Sequence, residues 1–265
     1  MAPWTPRLAH VRFRGMIRER SVDTVVALLK GIGERRRFKG VLLDISSGGG
    51  ADVPSTDFYL AVKRLDQLKP VYASIGSIGA SGAYLAAIGA RKVFAYPDSE
   101  VGSIGVIFPH LAVRELLNRL GIEVELLHQG RHKDAYQGYR PLTDEERTKL
   151  LAVAENSYKS FVEAVARERK RPVTEILNLA TGEFWSGTQA LQLGLVDALG
   201  DRDTALGELS QLTGVPVRHT VRVSPPRSFV DRMVSTSSAV FSGALRQGLQ
   251  ETVEDWLWDG GLFRR

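Results

Sequence analysis

The chain of 265 residues contains no cysteine. Disulfides, cysteine-nucleophile chemistry and thiolate metal sites are therefore excluded. The five histidines, His10, His110, His128, His132 and His219, are scattered, and none falls into a metal-binding spacing such as His-Glu-x-x-His. There is no P-loop and no dinucleotide fingerprint, so the sequence implies no cofactor and no metal. The first residues, Met1-Ala2-Pro3-Trp4-Thr5-Pro6-Arg7, lack the apolar core of a secretory signal. One uncharged stretch, Pro70 to Ala90, is 21 residues long, enough to span a bilayer. Its four glycines and three serines, and its break where a strand should turn into a helix, argue against that reading. The sequence thus predicts neither a signal peptide nor a transmembrane helix.

What is present suits an enzyme. The length fits one large α/β domain with a tail, and 43% hydrophobic residues support a substantial core. A net charge of +5 is moderately basic. The densest basic runs, Arg35-Arg36-Arg37 and Arg167-Glu168-Arg169-Lys170-Arg171, have no interleaved aromatics. They read as solvated helix ends, not as a nucleic-acid site. Attraction to an anionic membrane surface is the other reading of that charge.

The segment Gly76-Ser-Ile-Gly-Ala-Ser-Gly-Ala-Tyr84 places Ser81 among small residues, after an apolar strand and before a helix. Small neighbours let a substrate backbone approach the hydroxyl. The N–H groups at the start of that helix point to the same spot, as acyl transfer requires for its oxyanion. Taken alone, the same nonapeptide also fits a helix start that merely packs closely. Around it, the chain alternates strands and helices. Strands are predicted at Leu8–Arg14, Gly40–Ile45, Val71–Ser74, Lys92–Tyr96 and Glu123–Leu127. Helices are predicted from a Ser21 cap to about Glu34, over Thr56–Leu68, from Ser81 onward and over Leu111–Leu120. Thr143 with Glu146 forms a capping box for a long helix to about Arg169. Ser186 with Gln189 forms another, closed by Gly194. The stripe Tyr158, Phe161, Val162, Val165 reads as core or protomer interface.

Five further segments accompany the Ser81 run in a fixed order. They are Leu43-Asp-Ile-Ser-Ser-Gly-Gly-Gly50, Pro97-Asp-Ser-Glu-Val-Gly-Ser-Ile-Gly-Val106, Gly130-Arg-His-Lys-Asp134, Arg140-Pro-Leu-Thr-Asp-Glu-Glu-Arg147 and Gly182 to Asp197. In this order and spacing the chain, from about Leu8 to Leu199, resembles the signal peptide peptidase family, the SppA-type serine peptidases of family S49. The resemblance implies a Clp/crotonase-like spiral of ββα units in an α/β domain, residues 1–225. Residues 226–265 would then form a tail. Phe241, Leu245, Leu249, Val253 and Trp256 give that tail an amphipathic helix. It is expected to pack on a subunit, to sit on a membrane surface, or to occupy the substrate groove.

The resemblance also implies a Ser–Lys dyad of Ser81 and Lys133, 52 residues apart. It implies an oxyanion hole of Gly49, Gly50 and Gly82 backbone N–H groups, and a lysine-orienting Ser103. A lysine base must be neutral, so its pKa must fall from ~10.4 to roughly 7–8. An ion pair with Asp134 would oppose that shift, so Asp134 is expected to point elsewhere. The chain departs from the family in two places. Gly48 stands where a proline is usual, and Ala83 where a glycine is usual. The implied activity is a serine endopeptidase that degrades cleaved signal peptides or other unfolded apolar peptides near the membrane. The implied assembly is a ring-like homo-oligomer with peripheral membrane contact and no nucleic acid, membrane-associated or cytoplasmic. Rival readings are a Ser-His-Asp peptidase using His128 or His132 with Asp134 or Asp144, a crotonase-type acyl-CoA enzyme, and an inactive scaffold.

Overall fold

The computed structural model describes residues 5–224. The predicted C-terminal tail lies outside them. The described chain is α/β. Its strands are β1 (Arg7–Arg14), β2 (Phe38–Ser47), β3 (Val71–Ala80), β4 (Lys92–Ala95), β5 (Glu100–Gly102), β6 (Phe184–Ser186), β7 (Ala198–Leu199) and β8 (Thr220–Val223). They form one sheet in the order β6-β5-β3-β2-β1-β8, with β4 paired to β3 and to β7. Every pairing is parallel except β5 with β6. The helices are α1 (Glu19–Glu34), α2 (Asp52–Leu68), α3 (Gly82–Ile88), α4 (Arg114–Arg119), α5 (Asp144–Arg169), α6 (Val173–Leu179), α7 (Gly187–Gln192) and α8 (Arg202–Thr213).

A parallel sheet needs helices on both faces, and its strands are buried on both sides. Strand β2 shows this, since Val41, Leu42, Leu43 and Ile45 are all fully buried. Its alternating side chains divide between two clusters. Val41, Leu43 and Ile45 join Val25 and Leu29 of α1 and Phe58 and Val62 of α2. Leu42 meets Leu206 and Leu209 of α8 together with Tyr72 and Phe94.

Strand β3 sets the geometry of the site. Residues 72–75 pair with β4, but residues 78–80 pair with β5. Against β2, Ile45 lies opposite Ile75, yet Ser47 lies opposite Gly79. The strand thus changes neighbour where its register slips. The glycine-rich stretch 76–80 belongs to this strand, which runs past the predicted end at Ser74. The uncharged stretch Pro70 to Ala90 is β3 followed by α3, and among the described residues no helix is long and apolar enough to cross a membrane.

Three local expectations differ from the structure. Ser21 does not precede α1 but sits in its first turn, where its hydroxyl accepts from Arg18 N–H at 3.0 Å. Helix α4 is shorter than predicted, starting at Arg114. Residues 123–127 form no strand. Their alternation is real, but among the described residues no strand pairs with them, and most of the segment is exposed. Both capping boxes form as predicted. Thr143 Oγ accepts from Glu146 N–H at 3.3 Å, and Ser186 Oγ from Gln189 N–H at 3.2 Å.

Candidate active site

Ser81 joins β3 to α3 with φ 52° and ψ −128°. A non-glycine residue with positive φ is strained, by about 1–3 kcal/mol, and persists only when its surroundings enforce it. Here two backbone hydrogen bonds do so. Ser81 N–H donates to Gly102 O at 2.8 Å, and Ser81 O accepts from Leu85 N–H at 3.0 Å. The result is a sharp strand-to-helix turn that presents the hydroxyl to a cleft, the geometry by which hydrolases expose a nucleophilic serine.

The turn is fitted to its neighbours by glycines. A Cβ at Gly82 would lie 1.9 Å from Ser55 Oγ. Ser55 is buried, and its hydroxyl donates to Ala51 O at 2.7 Å. Gly49 has φ 94° and touches the Ser81 turn on its other side. The loop after β2 is tied to the segment before α1, with Ile17 N–H donating to Gly49 O at 2.9 Å and Ala51 N–H to Ile17 O at 3.0 Å. Gly49 N–H is itself taken by Ser47 Oγ at 3.1 Å. The predicted oxyanion donors are thus not equivalent: Gly50 and Gly82 have no such hydroxyl acceptor.

Ser103 stands beside this turn for a topological reason. Ala80 of β3 pairs with Gly102 of β5, so the next residue of each strand is Ser81 and Ser103. Ser103 also has positive φ, 47°, and its N–H donates to Glu183 O at 2.7 Å. Ser81, Ser103, Gly49, Gly50 and Gly82 all line one cleft of about 1220 Å³. Its far wall is α5, through Tyr158, Phe161 and Ala164. Phe161, Val162 and Val165 are core with Tyr158 packed against them, as expected, and Tyr158 and Phe161 also line the cleft. One end of the cleft holds Tyr59 and Arg167, where Arg167 donates to Tyr59 Oη at 3.0 Å. Glu168 bonds Lys63 and Tyr59 there. Burial pushes its carboxyl up, but those hydrogen bonds hold it below the usual range.

Lys133 does not line this cleft. It lies exposed on a turn before α5, with its N–H donating to Gly130 O at 3.0 Å. His128 and His132 do not line the cleft either. His132 Nδ1 is 3.5 Å from Glu146, and His128 Nε2 is 3.9 Å from Asp134. Among the described residues, no lysine or histidine lines the cleft that holds Ser81. Asp134 does point away from Lys133, accepting from Arg140 Nε at 2.8 Å. That hydrogen bond holds its carboxyl below the usual range. Sequence reasoning missed the cleft face of α5 and the clamp that Arg140 makes. The Arg140–Arg147 segment was visible only as a motif.

The sequence profile of Peptidase family S49 matches residues 63–216. A Synechocystis protein named "Putative protease slr0021" is 32% identical over 250 residues, covering 94% of this chain and 90% of that protein. An Enterococcus faecium protein named "Putative signal peptide peptidase SppA" is 33% identical over 69% of this chain and 54% of its own. Serine protease SPPA, chloroplastic, of Arabidopsis thaliana is 27% identical over 82% of this chain but only 33% of its own length. With a family profile covering more than half of its length and a relative matched almost end to end, the chain belongs to peptidase family S49.

Proposed function

We propose that this peptidase is a serine endopeptidase in which Ser81 is the nucleophile and Lys133 the base. The carrying observation is the enforced positive φ of Ser81 in a glycine-fitted cleft. In the proposed reaction, neutral Lys133 Nζ takes the Ser81 hydroxyl proton while Oγ attacks the peptide carbonyl carbon. The resulting oxyanion accepts from Gly50 and Gly82 N–H, and Gly49 gives the room in which that pair meets the substrate. Collapse breaks the C–N bond, and the lysine ammonium protonates the leaving amine. Water, deprotonated by the same lysine, then hydrolyses the acyl ester. Ser103 orients the lysine.

Because Lys133 is exposed outside its own cleft, the lysine serving one Ser81 comes from a neighbouring copy in a closed homo-oligomer. The segment between β5 and the lysine turn supports this. Ile107 is 85% exposed, Leu111 77% and Leu127 89%, and Leu116 and Leu120 are exposed as well. Apolar surface of that extent favours association. The long cleft with Phe161, Tyr158 and Leu85 on its walls suits extended apolar peptides, including cleaved signal peptides near a membrane. The test is hydrolysis of a panel of short fluorogenic peptides by the wild type, Ser81→Ala and Lys133→Ala. Both variants should lose activity by a similar factor, because groups acting as one unit are not additive. Full activity in Lys133→Ala, with loss in His128→Ala or His132→Ala, refutes the dyad.

A further inference from the structure

Lys133 stands in a crowd of charges that leaves it alone. On its own turn are His128, Arg131, His132 and Asp134. Facing the turn from the first part of α5 are Glu145, Glu146 and Lys149, and from the segment between them Arg140, whose carbonyl contacts His110 at 2.8 Å. Each carboxylate is taken. Glu145 pairs with Arg131 and Lys149, both at 2.8 Å. Lys149 Nζ also lies 2.8 Å from His132 Nε2. Glu146, buried with its side chain 3% exposed, receives both terminal nitrogens of Arg140 at 2.8 Å and Thr143 N–H at 2.9 Å. The third donor of the same guanidinium, Nε, goes to Asp134 at 2.8 Å. Lys133 makes no ion pair among the described residues.

We infer that Arg140 is a positioning residue for the lysine base, holding the Asp134 carboxylate against the start of α5 so that it does not pair with Lys133. The proposal rests on the reading of Lys133 as the base. The chemistry is specific to arginine. Its planar fork serves two carboxylates at once, which an ammonium cannot do with the same geometry. The clamp is rigid because Glu146 is also the capping-box residue of a helix 26 residues long. Asp134 is the carboxylate adjacent to Lys133 in sequence and shares its turn. Released, it would favour the ammonium form, and the base would be neutral only at higher pH.

The experiment measures kcat/KM for a fluorogenic peptide as a function of pH, on the full chain. It compares the wild type with Arg140→Gln, Arg140→Gln/Asp134→Asn and Lys133→Ala. Arg140→Gln should move the alkaline-rising limb upward by about one pH unit, which is roughly a tenfold loss at neutral pH. Adding Asp134→Asn should return the limb to its wild-type position, although it restores no bond. An unmoved limb in Arg140→Gln, or a double variant as displaced as the single, overturns the proposal and leaves Arg140 structural. An active Lys133→Ala instead overturns the dyad, a distinguishable result. If Arg140→Gln does not fold, Arg140→Lys with and without Asp134→Asn gives the same comparison while keeping a cation in place.

Discussion

A Cβ built on Gly49 would lie 2.8 Å from Cβ of Ser81 and 2.9 Å from both Ala80 O and Gly82 N. The loop after β2 and the turn after β3 are thus in backbone contact at Ser81. Gly49→Ala must either open this contact or rotate Ser81, and alanine is also strained at φ 94°. A displacement of about 1 Å at a reacting group costs on the order of 100-fold in rate. Gly49→Ala should therefore lose about 100-fold in kcat while keeping a native circular dichroism spectrum. At Gly48, an added Cβ would meet only Ile78 Cδ1 at 3.8 Å, an ordinary contact. Gly48→Ala should cost far less, and equal effects of the two substitutions would contradict the argument.

The exposed position of Lys133 leads to a mixing experiment. If each site takes its serine from one copy and its lysine from another, two inactive variants can complement. Subunits of Ser81→Ala and Lys133→Ala, unfolded together and reassembled, should regain activity in a minority of sites, up to about a quarter. Separately refolded variants should stay inactive. No recovery in co-assembled oligomers that light scattering shows to be mixed would place both groups in one chain.

Local chemistry was legible in the sequence, and long-range pairing was not. Thr143 with Glu146 and Ser186 with Gln189 act within four residues, so their spacing alone gave the helix starts. Ser81 was legible because its strained turn needs small neighbours that are adjacent in sequence. The extension of β3 through Gly76–Ala80 was hidden because its partner β5 begins at Glu100, and glycines carry no strand signal. Residues 123–127 show the converse, an alternating pattern that no strand among the described residues pairs with. On α5, periodicity identified Phe161 as inward-facing but could not say that the space it faces is a cleft. The Arg140 clamp joins Asp134 to Glu146 across a turn whose path no propensity describes.

Acid should destabilise the fold through Asp44. This carboxylate is 4% exposed on β2, opposite Arg12 of β1. Burial pushes its carboxyl up, but hydrogen bonds from His10 and Arg14, the Arg14 charge and a bond from Arg12 outweigh this and hold it well below the usual range. A group depressed on folding contributes stability above its unfolded pKa, ~3.9, and loses it as pH falls toward the folded value. Asp44→Asn should lower stability at pH 7 by about 2 kcal/mol, less than for a fully buried broken pair because Arg12 and Arg14 can turn to water. Its stability should also vary less than wild type between about pH 4 and pH 2. Urea titrations at pH 7, 4 and 2.5 check both, and parallel pH curves for the two proteins would refute the assignment.

Helix α3 is held from behind by Tyr84, which is fully buried and donates its hydroxyl to Leu195 O at 2.8 Å. Burial raises the Tyr84 pKa, so the phenol stays protonated through the working range and adds nothing to an alkaline limb of activity. Tyr84→Phe keeps the ring packing and leaves the Leu195 carbonyl without this donor. The loss should be about 1–2 kcal/mol, a fall of roughly 2–8 °C in Tm for a domain of this size. Catalysis should be nearly spared, because Ser81 is pinned independently by Gly102 O and by Leu85 N–H. The expected result is kcat within about threefold of wild type, with the same pH limb and a lower Tm. A Tyr84→Phe enzyme with an unchanged Tm but a collapsed kcat would mean that the hydroxyl sets the position of α3, and through it Ser81, instead of supporting the core.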